Sequence, residues 1–101
     1  YRGFQVAKKE LKKLKKYCDI NNINCHLVLM PDIHQLEPYN LFFINEKISF
    51  FSKEINMPYH DLLGSFVSLE KNIIWNKYQD PHPNVYGHKI IAEEIYNFLS
   101  K

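Results

Sequence analysis

The stretch that decides the fold reads Cys25-His26-Leu27-Val28-Leu29-Met30-Pro31. Its apolar residues form a short, nearly continuous run, and a proline closes it. Strands of a parallel sheet are buried on both faces, so they read as such runs and not as an alternation of apolar and polar residues. The stretch therefore predicts a buried parallel β-strand.

Helical patterns flank this strand on both sides. Residues 5–19 carry apolar side chains at spacings of four, three and four, with lysines at most positions between them. Those apolar residues are Ala7, Leu11, Leu14 and Cys18. Residues 38–56 carry a second stripe, at spacings of three, four, three and four. Its members are Leu41, Ile44, Ile48, Phe51 and Ile55. We expect two amphipathic helices, the first ended by Asn21-Asn22 and the second by Met57-Pro58.

The rest of the chain continues the alternation of strand and helix. Residues 59–63 predict a second short strand closed by Gly64, while residues 66–74 fit either a short helix or irregular structure. Asn84 is a good N-cap for a last helix. The core-facing stripe expected of that helix is Ile91, Ala92, Ile95, Phe98 and Leu99. This order predicts an α/β fold with right-handed crossovers and a parallel sheet covered on both faces.

Composition limits the classes of protein to which the chain can belong. Its 101 residues are 46% hydrophobic and 24% charged, which predicts a single globular unit. A net charge of +2 gives no argument for nucleic acid, and the lysines within residues 8–16 read as the solvated face of a helix. No apolar run is long enough to span a membrane, so we expect a soluble protein without a transmembrane segment. The compartment stays open, with the cell envelope or secretion as alternatives if a signal peptide precedes the chain.

Two cysteines are present, Cys18 and Cys25, and their spacing does not fit a metal site. Free, buried thiols are the expectation. A disulfide between them stays an alternative if the first helix leads directly into the first strand.

The segment with most chemical information reads Asp80-Pro81-His82-Pro83-Asn84-Val85-Tyr86-Gly87-His88. It precedes the last helix, in a position typical of a loop at the edge of a parallel sheet. A carboxylate two residues before a histidine can accept the imidazole Nδ1–H, which leaves Nε2 to take a proton from a nucleophile. Prolines on both sides of His82 restrict the backbone and favour a preset geometry.

This segment, as Asp-x-His-Pro-Asn-x-x-Gly-His-x-x-x-Ala, resembles the C-terminal block of the SGNH (GDSL-like) hydrolase family. Upstream, Leu27-Val28-Leu29-Met30-Pro31 is similar to the family strand that ends near the active site, and Asp61-Leu62-Leu63 resembles the short strand before the final loop. The resemblance implies a three-layer α/β/α, flavodoxin-like fold. Residues 1–101 would be the C-terminal half of its single domain.

The resemblance also implies an activity and a role for each matching residue. Asp80 would orient and stabilise His82, and His82 would be the general base that activates a serine. The residues expected to form the structural turn and helix cap are Pro83, Asn84, Gly87 and His88, with Gly87 allowing a sharp turn into the helix. The implied enzyme is a serine esterase that acts on a small O-acyl group, such as acetyl on a small molecule or carbohydrate, without cofactor or metal.

The sequence departs from the family pattern in its upstream part. The nucleophilic serine of a Gly-Asp-Ser block and the glycine and asparagine of the oxyanion hole have no match before residue 80. The serines that are present, Ser49, Ser52, Ser65 and Ser68, do not lie in a tight glycine-flanked turn; Gly64-Ser65 is the nearest. We therefore expect the serine in a missing N-terminal half of the same protein, and no turnover by this chain alone.

Two alternatives to this interpretation stay open. A degenerate, non-catalytic hydrolase half would keep the 80–88 segment for structural reasons and serve as an interaction module. A homo-oligomer is the other, because two copies of a half-sheet could share an unpaired strand edge.

Other candidate residues have weaker signals. Trp75 and Tyr78 could line a substrate pocket, although packing is the more common role of such aromatics, and His34 follows the first strand closely enough to contact substrate. His60 and Asp61 are neighbours on a predicted strand, so their side chains should point to opposite faces and not pair. A metal site at Asp80, His82 and His88 is not favoured, because the two histidines do not have i, i+4 spacing.

Overall fold

The computed structural model describes residues 2–33, 36, 39–66, 75–77 and 80–101, and it describes only the backbone of residues 75–77, 80 and 81. Helices and strands alternate along these ranges up to Lys77, after which a second strand comes before the last helix. The elements are α1 (Arg2–Ile20), β1 (Leu27–Leu29), α2 (Phe42–Glu54), β2 (Tyr59–Asp61), α3 (Leu63–Phe66), β3 (Trp75–Lys77), β4 (Asp80–Pro83) and α4 (Val85–Leu99).

The strand predicted from residues 25–31 is β1, and it pairs in parallel with β2. The register places Leu27 opposite Tyr59, Val28 opposite His60 and Leu29 opposite Asp61. Since α2 connects the two strands along the chain, they form a β–α–β unit. The mixture of helices and strands and the parallel pairing are confirmed. Strand β1 is shorter than predicted and only partly buried, and β2 stops at Asp61, where the short helix α3 follows from Leu63.

Helix α1 is longer than the pattern predicts, and it is only partly buried. It begins at Arg2 and ends where Asn22 takes a left-handed conformation with φ 56°, which asparagine tolerates better than most residues. Cys18 is buried, but Leu14 is 47% exposed, so its predicted core position is wrong. The periodicity identifies a helix face, and the number of neighbours that cover it decides how much is buried.

Helix α2 is shorter than predicted, beginning at Phe42 and ending before Asn56, whose φ of 57° stops the helix. Its interior anchor is Phe51, which is 1% exposed. Helix α1 packs on the same side, where the Nζ atoms of Lys8 and Lys12 lie 5.6 Å and 6.0 Å from the centre of the Phe51 ring. The neighbouring residue Phe50 is 68% exposed.

The main apolar cluster lies beyond the carboxyl ends of the two parallel strands. Its buried members are Ile33, Leu36, Leu62, Leu63 and Phe66. Ile90 and Ile91, from the first half of α4, pack against it together with Val28 and Tyr39. The start of the last helix is therefore fixed near the carboxyl edge of the sheet.

Helix α4 begins as predicted at an asparagine cap, since the Asn84 side chain accepts a hydrogen bond from the Gly87 N–H at 2.9 Å. Ile91, Ile95 and Phe98 are at least half-buried, as expected. Ala92 and Leu99 are exposed, and their predicted core positions are wrong. Ala92 follows Ile91, and Leu99 follows Phe98. Because successive side chains are about 100° apart around a helix, each of the two points away from the sheet-facing side.

Contacts along α4 give its direction relative to the strands. Ile91 packs at the carboxyl end, Glu94 reaches His60 in the middle of β2, and Phe98 contacts His26, which directly precedes β1. The helix therefore runs antiparallel to β1 and β2. Its N-terminus, and the segment before it, lie at the carboxyl edge of the sheet.

The two helices that flank β2 contact alternate residues of that strand. His60 contacts Glu94 and Phe98 of α4, whereas Asp61 accepts a hydrogen bond from the Asn45 amide of α2 at 2.8 Å. Successive strand residues point to opposite faces, so α2 and α4 cover different faces of the strand pair. His60 and Asp61 thus point away from each other, as the sequence predicts.

Residues 80–83 form strand β4, and the prediction of a loop there is wrong. β4 pairs antiparallel with β3, with Trp75 opposite Pro83 and Lys77 opposite Asp80, and the register shifts between these pairs. Prolines fix φ in a range that extended backbone also uses, and they are tolerated on edge strands and at irregularities. Proline-rich sequence was therefore compatible with a short edge strand.

None of the helices within the described ranges is long and apolar enough to cross a membrane.

Adjacent phenylalanines in α2 give a test of this packing. Phe51→Ala should lower the free energy of unfolding by about 3–5 kcal/mol, because a fully buried aromatic ring is removed. Phe50→Ala, the matched control on the exposed side, should change it by less than about 0.5 kcal/mol. Urea unfolding followed by circular dichroism measures both. Similar losses in the two variants would contradict the orientation of α2.

Candidate functional site

His82, the predicted general base, lies on β4 with an exposed side chain. It precedes the cap of α4, and the N-terminus of α4 lies at the carboxyl edge of the parallel strands. Ligands of α/β sheets bind outside the carboxyl ends of the strands. The structure thus places His82 at the edge of the sheet where an active site is expected.

The backbone around His82 is held on its C-terminal side. Asn84 caps α4 through Gly87, and the His88 N–H donates to the Asn84 carbonyl at 2.9 Å. Pro83 is half-buried, and the His88 side chain is exposed near the helix start. These contacts fix the exit of the segment into the helix.

The predicted role of Gly87 is wrong in its detail. Gly87 lies inside the first turn of α4, is buried, and does not have a positive φ. It therefore does not make the sharp turn; Asn84, with extended backbone at φ −84° and ψ −170°, makes the change of direction.

Several predicted site residues lie partly or wholly outside what the structure describes. Asp80 is described through its backbone, which lies on β4 opposite Lys77, so its pairing with His82 stays a prediction. Trp75 is described in the same way, on β3 opposite Pro83. His34, Tyr78 and Ser68 lie outside the described residues.

A cluster of three polar side chains that sequence reasoning missed links β2, α3 and α4. The Ser65 hydroxyl donates a short hydrogen bond to Glu94 Oε1, and Glu94 Oε2 lies 3.3 Å from His60 Nε2. The His60 ring also stacks on Phe98, with ring centres 5.2 Å apart. The position of Glu94 in the sequence could have indicated this cluster. Glu94 shares the sheet-facing side of α4 with Ile91 and Phe98, at spacings of three and four residues.

The order of these three groups does not support nucleophilic catalysis by Ser65. A triad needs the imidazole between the hydroxyl and the carboxylate, whereas here the Glu94 carboxylate lies between Ser65 and His60. Gly64 is exposed, has no positive φ and meets no close neighbour, so residues 64–65 do not form a strained nucleophile turn. The cluster joins three elements, and its role is structural.

The electrostatics of the cluster favour an ionised Glu94. Its pKa is lowered, chiefly by the hydrogen bond from Ser65 and further by His60, while desolvation acts in the opposite direction. Hydrogen bonds to the charged form of a carboxyl stabilise that form.

Asp61, on the other face of β2, has its own partners. Besides the Asn45 amide, it accepts a hydrogen bond from the Leu63 N–H at 2.9 Å, which caps the short helix α3. Burial, followed by the Asp61 carboxylate, raises the pKa of the neighbouring Tyr59. Asp61 therefore organises the end of β2 and is not free to orient a catalytic histidine.

An open cavity of about 260 Å³ lies at the carboxyl end of β1. Residues 29–32 form one wall and residues of the α2 entry form the other, including Tyr39, Ile44 and Asn45. The Asp32 N–H donates to the Tyr39 hydroxyl oxygen at 3.0 Å, which ties the two walls together. The cavity is of a size for a small organic group, and it lies at the same edge of the sheet as His82.

Among the described side chains, no three histidine, cysteine, aspartate or glutamate residues come together as a metal site would require.

Comparisons with known proteins give no relative for this chain: no family model matches it, and no curated protein or solved structure matches it.

The Glu94 cluster predicts a specific acid sensitivity. Because the pKa of Glu94 is lowered by folding, its stabilisation is present above the unfolded pKa of about 4.3 and is lost as pH falls through the folded value. Glu94→Gln should therefore flatten the fall in unfolding free energy on acidification below about pH 5. Partial exposure limits the difference to less than about 1 kcal/mol.

Urea unfolding at a series of pH values measures how steeply the unfolding free energy falls on acidification. Glu93→Gln is the matched control, since Glu93 is adjacent to Glu94 and exposed. If the two variants show the same acid slope as the unchanged protein, the ionised Glu94 contributes nothing to the docking of α4.

Proposed function

We propose that this chain is the C-terminal part of a serine ester hydrolase of the SGNH type, in which Asp80 and His82 form the acid–base pair. One observation carries the proposal. Helix α4 runs antiparallel to the parallel strands, with Ile90 and Ile91 packed just beyond their carboxyl ends, so the 80–88 segment lies at the edge where α/β enzymes bind substrate.

The proposed fold is the flavodoxin-like, three-layer α/β/α arrangement. It is supported by the parallel pairing of β1 and β2 and by α2 and α4, which contact opposite faces of β2. Among the described residues, no further strand pairs with this sheet, whose order is β1–β2. In this proposal, strands of the same protein outside the 101 residues extend the sheet and carry the Gly-Asp-Ser and Gly-x-Asn blocks.

The proposed mechanism assigns separate tasks to the two residues. The serine hydroxyl attacks the ester carbonyl while His82 takes its proton, and the protonated imidazole then gives that proton to the departing alcohol. Asp80 orients the imidazole and stabilises its positive charge. A water molecule, activated by His82 in the same way, releases the acyl group and regenerates the serine.

The structure around His82 suits a preorganised base. Pro83 and the Asn84 cap hold the backbone immediately after it, and α4 is fixed to the sheet through Ile90, Ile91 and Glu94. A histidine that is exposed but held on a rigid support can meet a substrate without a large entropic cost. We propose a small O-acyl ester, such as an acetylated small molecule or carbohydrate, as substrate; the small cavity beside β1 supports a short acyl group.

A second candidate function is that of a non-catalytic interaction module. The observation in its favour is the number of large apolar side chains that the described residues leave exposed. Examples are Val6, Tyr17, Ile20, Phe42, Phe43, Phe50, Val85, Tyr96 and Leu99, each at least 50% exposed. Phe43 and Phe50 line one open pocket together with Phe4, and contiguous exposed apolar surface is typical of an interface. The remaining half of the same domain would cover part of it under the first proposal, and a separate partner would do so under the second.

Hydrolysis of p-nitrophenyl acetate by the full-length protein tests the enzymatic proposal. His82→Ala should lower kcat/KM by on the order of 10³-fold or more, since loss of a triad member has that effect. Asp80→Asn should lower it strongly as well, because the imidazole loses its orienting acceptor. The matched control is His88→Ala, another exposed histidine near the start of α4, which should change the rate less than about threefold.

Equal losses of kcat/KM in His82→Ala and His88→Ala would point to disturbed folding of the helix start. Circular dichroism of the two variants distinguishes a folding defect from a loss of catalysis. Unchanged rates in His82→Ala, or no hydrolysis by any variant, would overturn the acid–base assignment for this substrate class and favour the interaction module.

A further inference from the structure

An open cavity of about 420 Å³ lies between α1 and α2, and the described residues that line it come from these two helices alone. Phenylalanines form its apolar walls. Phe51 is buried and Phe4 is half-buried, whereas Phe43 and Phe50 are 50% and 68% exposed. A cavity of this size with aromatic walls and a few polar groups is typical of a binding site for a small molecule.

Two lysine ammonium groups converge on the Phe4 ring at this cavity. The Nζ atom of Lys8 lies 5.3 Å from the centre of the Phe4 ring, and the Nζ atom of Lys47 lies 5.6 Å from the same centre. The Lys8 Nζ atom is also 5.6 Å from the centre of the Phe51 ring. Attraction between an ammonium group and a ring restrains these long side chains, so the two positive charges are positioned at the cavity in advance of any ligand.

The charges of Lys8 and Lys47 are not neutralised within the described part of the chain. Among its side chains, neither ammonium group has a carboxylate at ion-pair distance, and the ion pairs of α1 use Lys13 and Lys15 instead. Two like charges that converge on one ring repel each other. An anion bound between them would replace this repulsion with attraction to both.

Two glutamates, Glu46 and Glu54, line the same cavity and limit the negative charge that a ligand can carry. Glu46 is next to Lys47 in sequence, whereas Glu54 follows Lys47 by seven residues, about 10 Å further along the axis of α2. Helix α1 has seven basic and two acidic residues within Arg2–Ile20. The α1 side of the cavity is therefore positive, which favours a ligand with a single negative charge.

We propose that this cavity binds an amphipathic carboxylate, such as a medium-chain fatty acid, with its carboxylate between the Lys8 and Lys47 ammonium groups. The carboxylate accepts charge-assisted hydrogen bonds from these groups. The alkyl chain lies against the phenylalanine rings and removes the exposed surface of Phe43 and Phe50 from water. The proposal does not depend on the proposed ester hydrolysis, since it uses no residue of the acid–base pair.

Both parts of the ligand are needed for binding at this site. Exposed ammonium groups hold a simple carboxylate weakly, because water and salt screen the attraction. An open apolar cavity holds an alkyl chain weakly, because one side of the chain stays in water. The proposal therefore predicts selectivity for a ligand that joins a negative charge to an apolar chain.

Calorimetric titration of the full-length protein with three small ligands tests this selectivity. Octanoate should bind with a Kd on the order of 1 mM. Acetate, which lacks the chain, and octyltrimethylammonium, which has the opposite charge, should each bind at least about tenfold more weakly. In nuclear magnetic resonance spectra of isotope-labelled protein, octanoate should shift the backbone amide signals of α1 and α2. Shifts confined to residues 80–88 would place octanoate at the proposed ester hydrolysis site and overturn the assignment.

Charge variants test the position of the carboxylate. The double variant Lys8→Gln/Lys47→Gln should raise the Kd for octanoate by about tenfold. The matched control is Lys9→Gln/Lys53→Gln, which removes two charges from exposed positions of the same helices that do not line the cavity. It should change the Kd by less than about twofold. Glu46→Gln should lower the Kd, because it removes a charge that repels the ligand.

Phe50→Ala tests the apolar part of the site in a folded protein, because this exposed ring contributes little to stability. It should raise the Kd for octanoate by about threefold or more.

Three further outcomes would overturn the proposal. They are the absence of saturable octanoate binding up to about 10 mM, an equal affinity for octyltrimethylammonium, and equal losses of octanoate affinity in the Lys8/Lys47 and Lys9/Lys53 double variants. The last outcome would show that the overall positive charge of α1 attracts anions, as it would attract an anionic membrane, without a site at this cavity. The first two are measured on the unchanged protein, so a folding defect in a variant does not affect them.

Discussion

The position of His82 relative to the parallel strands depends on the docking of α4 through Ile90 and Ile91. These side chains pack on the cluster of Ile33, Leu36, Leu62, Leu63 and Phe66, which follows the two parallel strands. Further along the same side of the helix, Glu94 makes a polar contact with His60 and Phe98 contacts His26. Apolar burial supplies most of the energy of such docking, at about 25 cal/mol per Å² of buried surface, and the polar contacts fix its direction. A helix docked in the reverse direction would place His82 at the amino edge of the sheet, away from the cavity beside β1.

The parallel pair is small, and the chain around it leaves much apolar surface uncovered. Two strands of three residues cannot bury helices on both faces as fully as a larger sheet would. Phe51 and Phe66 are enclosed, whereas Phe50 and Val85 are 68% and 89% exposed. This contrast explains why the helical stripes are regular in sequence but unevenly buried in the structure. It also links the two candidate functions, because both require a further surface to cover these residues.

Local signals in the sequence were sufficient for some elements. The apolar run at residues 27–29 predicts a parallel strand because both faces of such a strand are covered, and Asn84 predicts a helix start because its side chain can accept from a free backbone N–H. The exposure of Leu14 and Leu99 could not be predicted in this way, since periodicity defines a helix face without saying what covers that face. Strand β4 was missed because Pro81 and Pro83 usually indicate a loop. The Ser65–Glu94–His60 cluster was missed because its members are far apart in sequence, although a glutamate on the sheet-facing side of α4 indicated that a buried partner existed.

Nuclear Overhauser effects measure the direction of α4 most directly. With isotope-labelled protein, we expect contacts between the methyl groups of Ile90 and Ile91 and those of Ile33, Leu62 and Leu63, together with contacts between the rings of Phe98 and His26. This pattern would establish that the 80–88 segment lies at the carboxyl edge of the parallel strands. Contacts of Phe98 with Leu62 or Leu63, or of Ile91 with His26, would contradict the account and remove the structural support for His82 as the catalytic base.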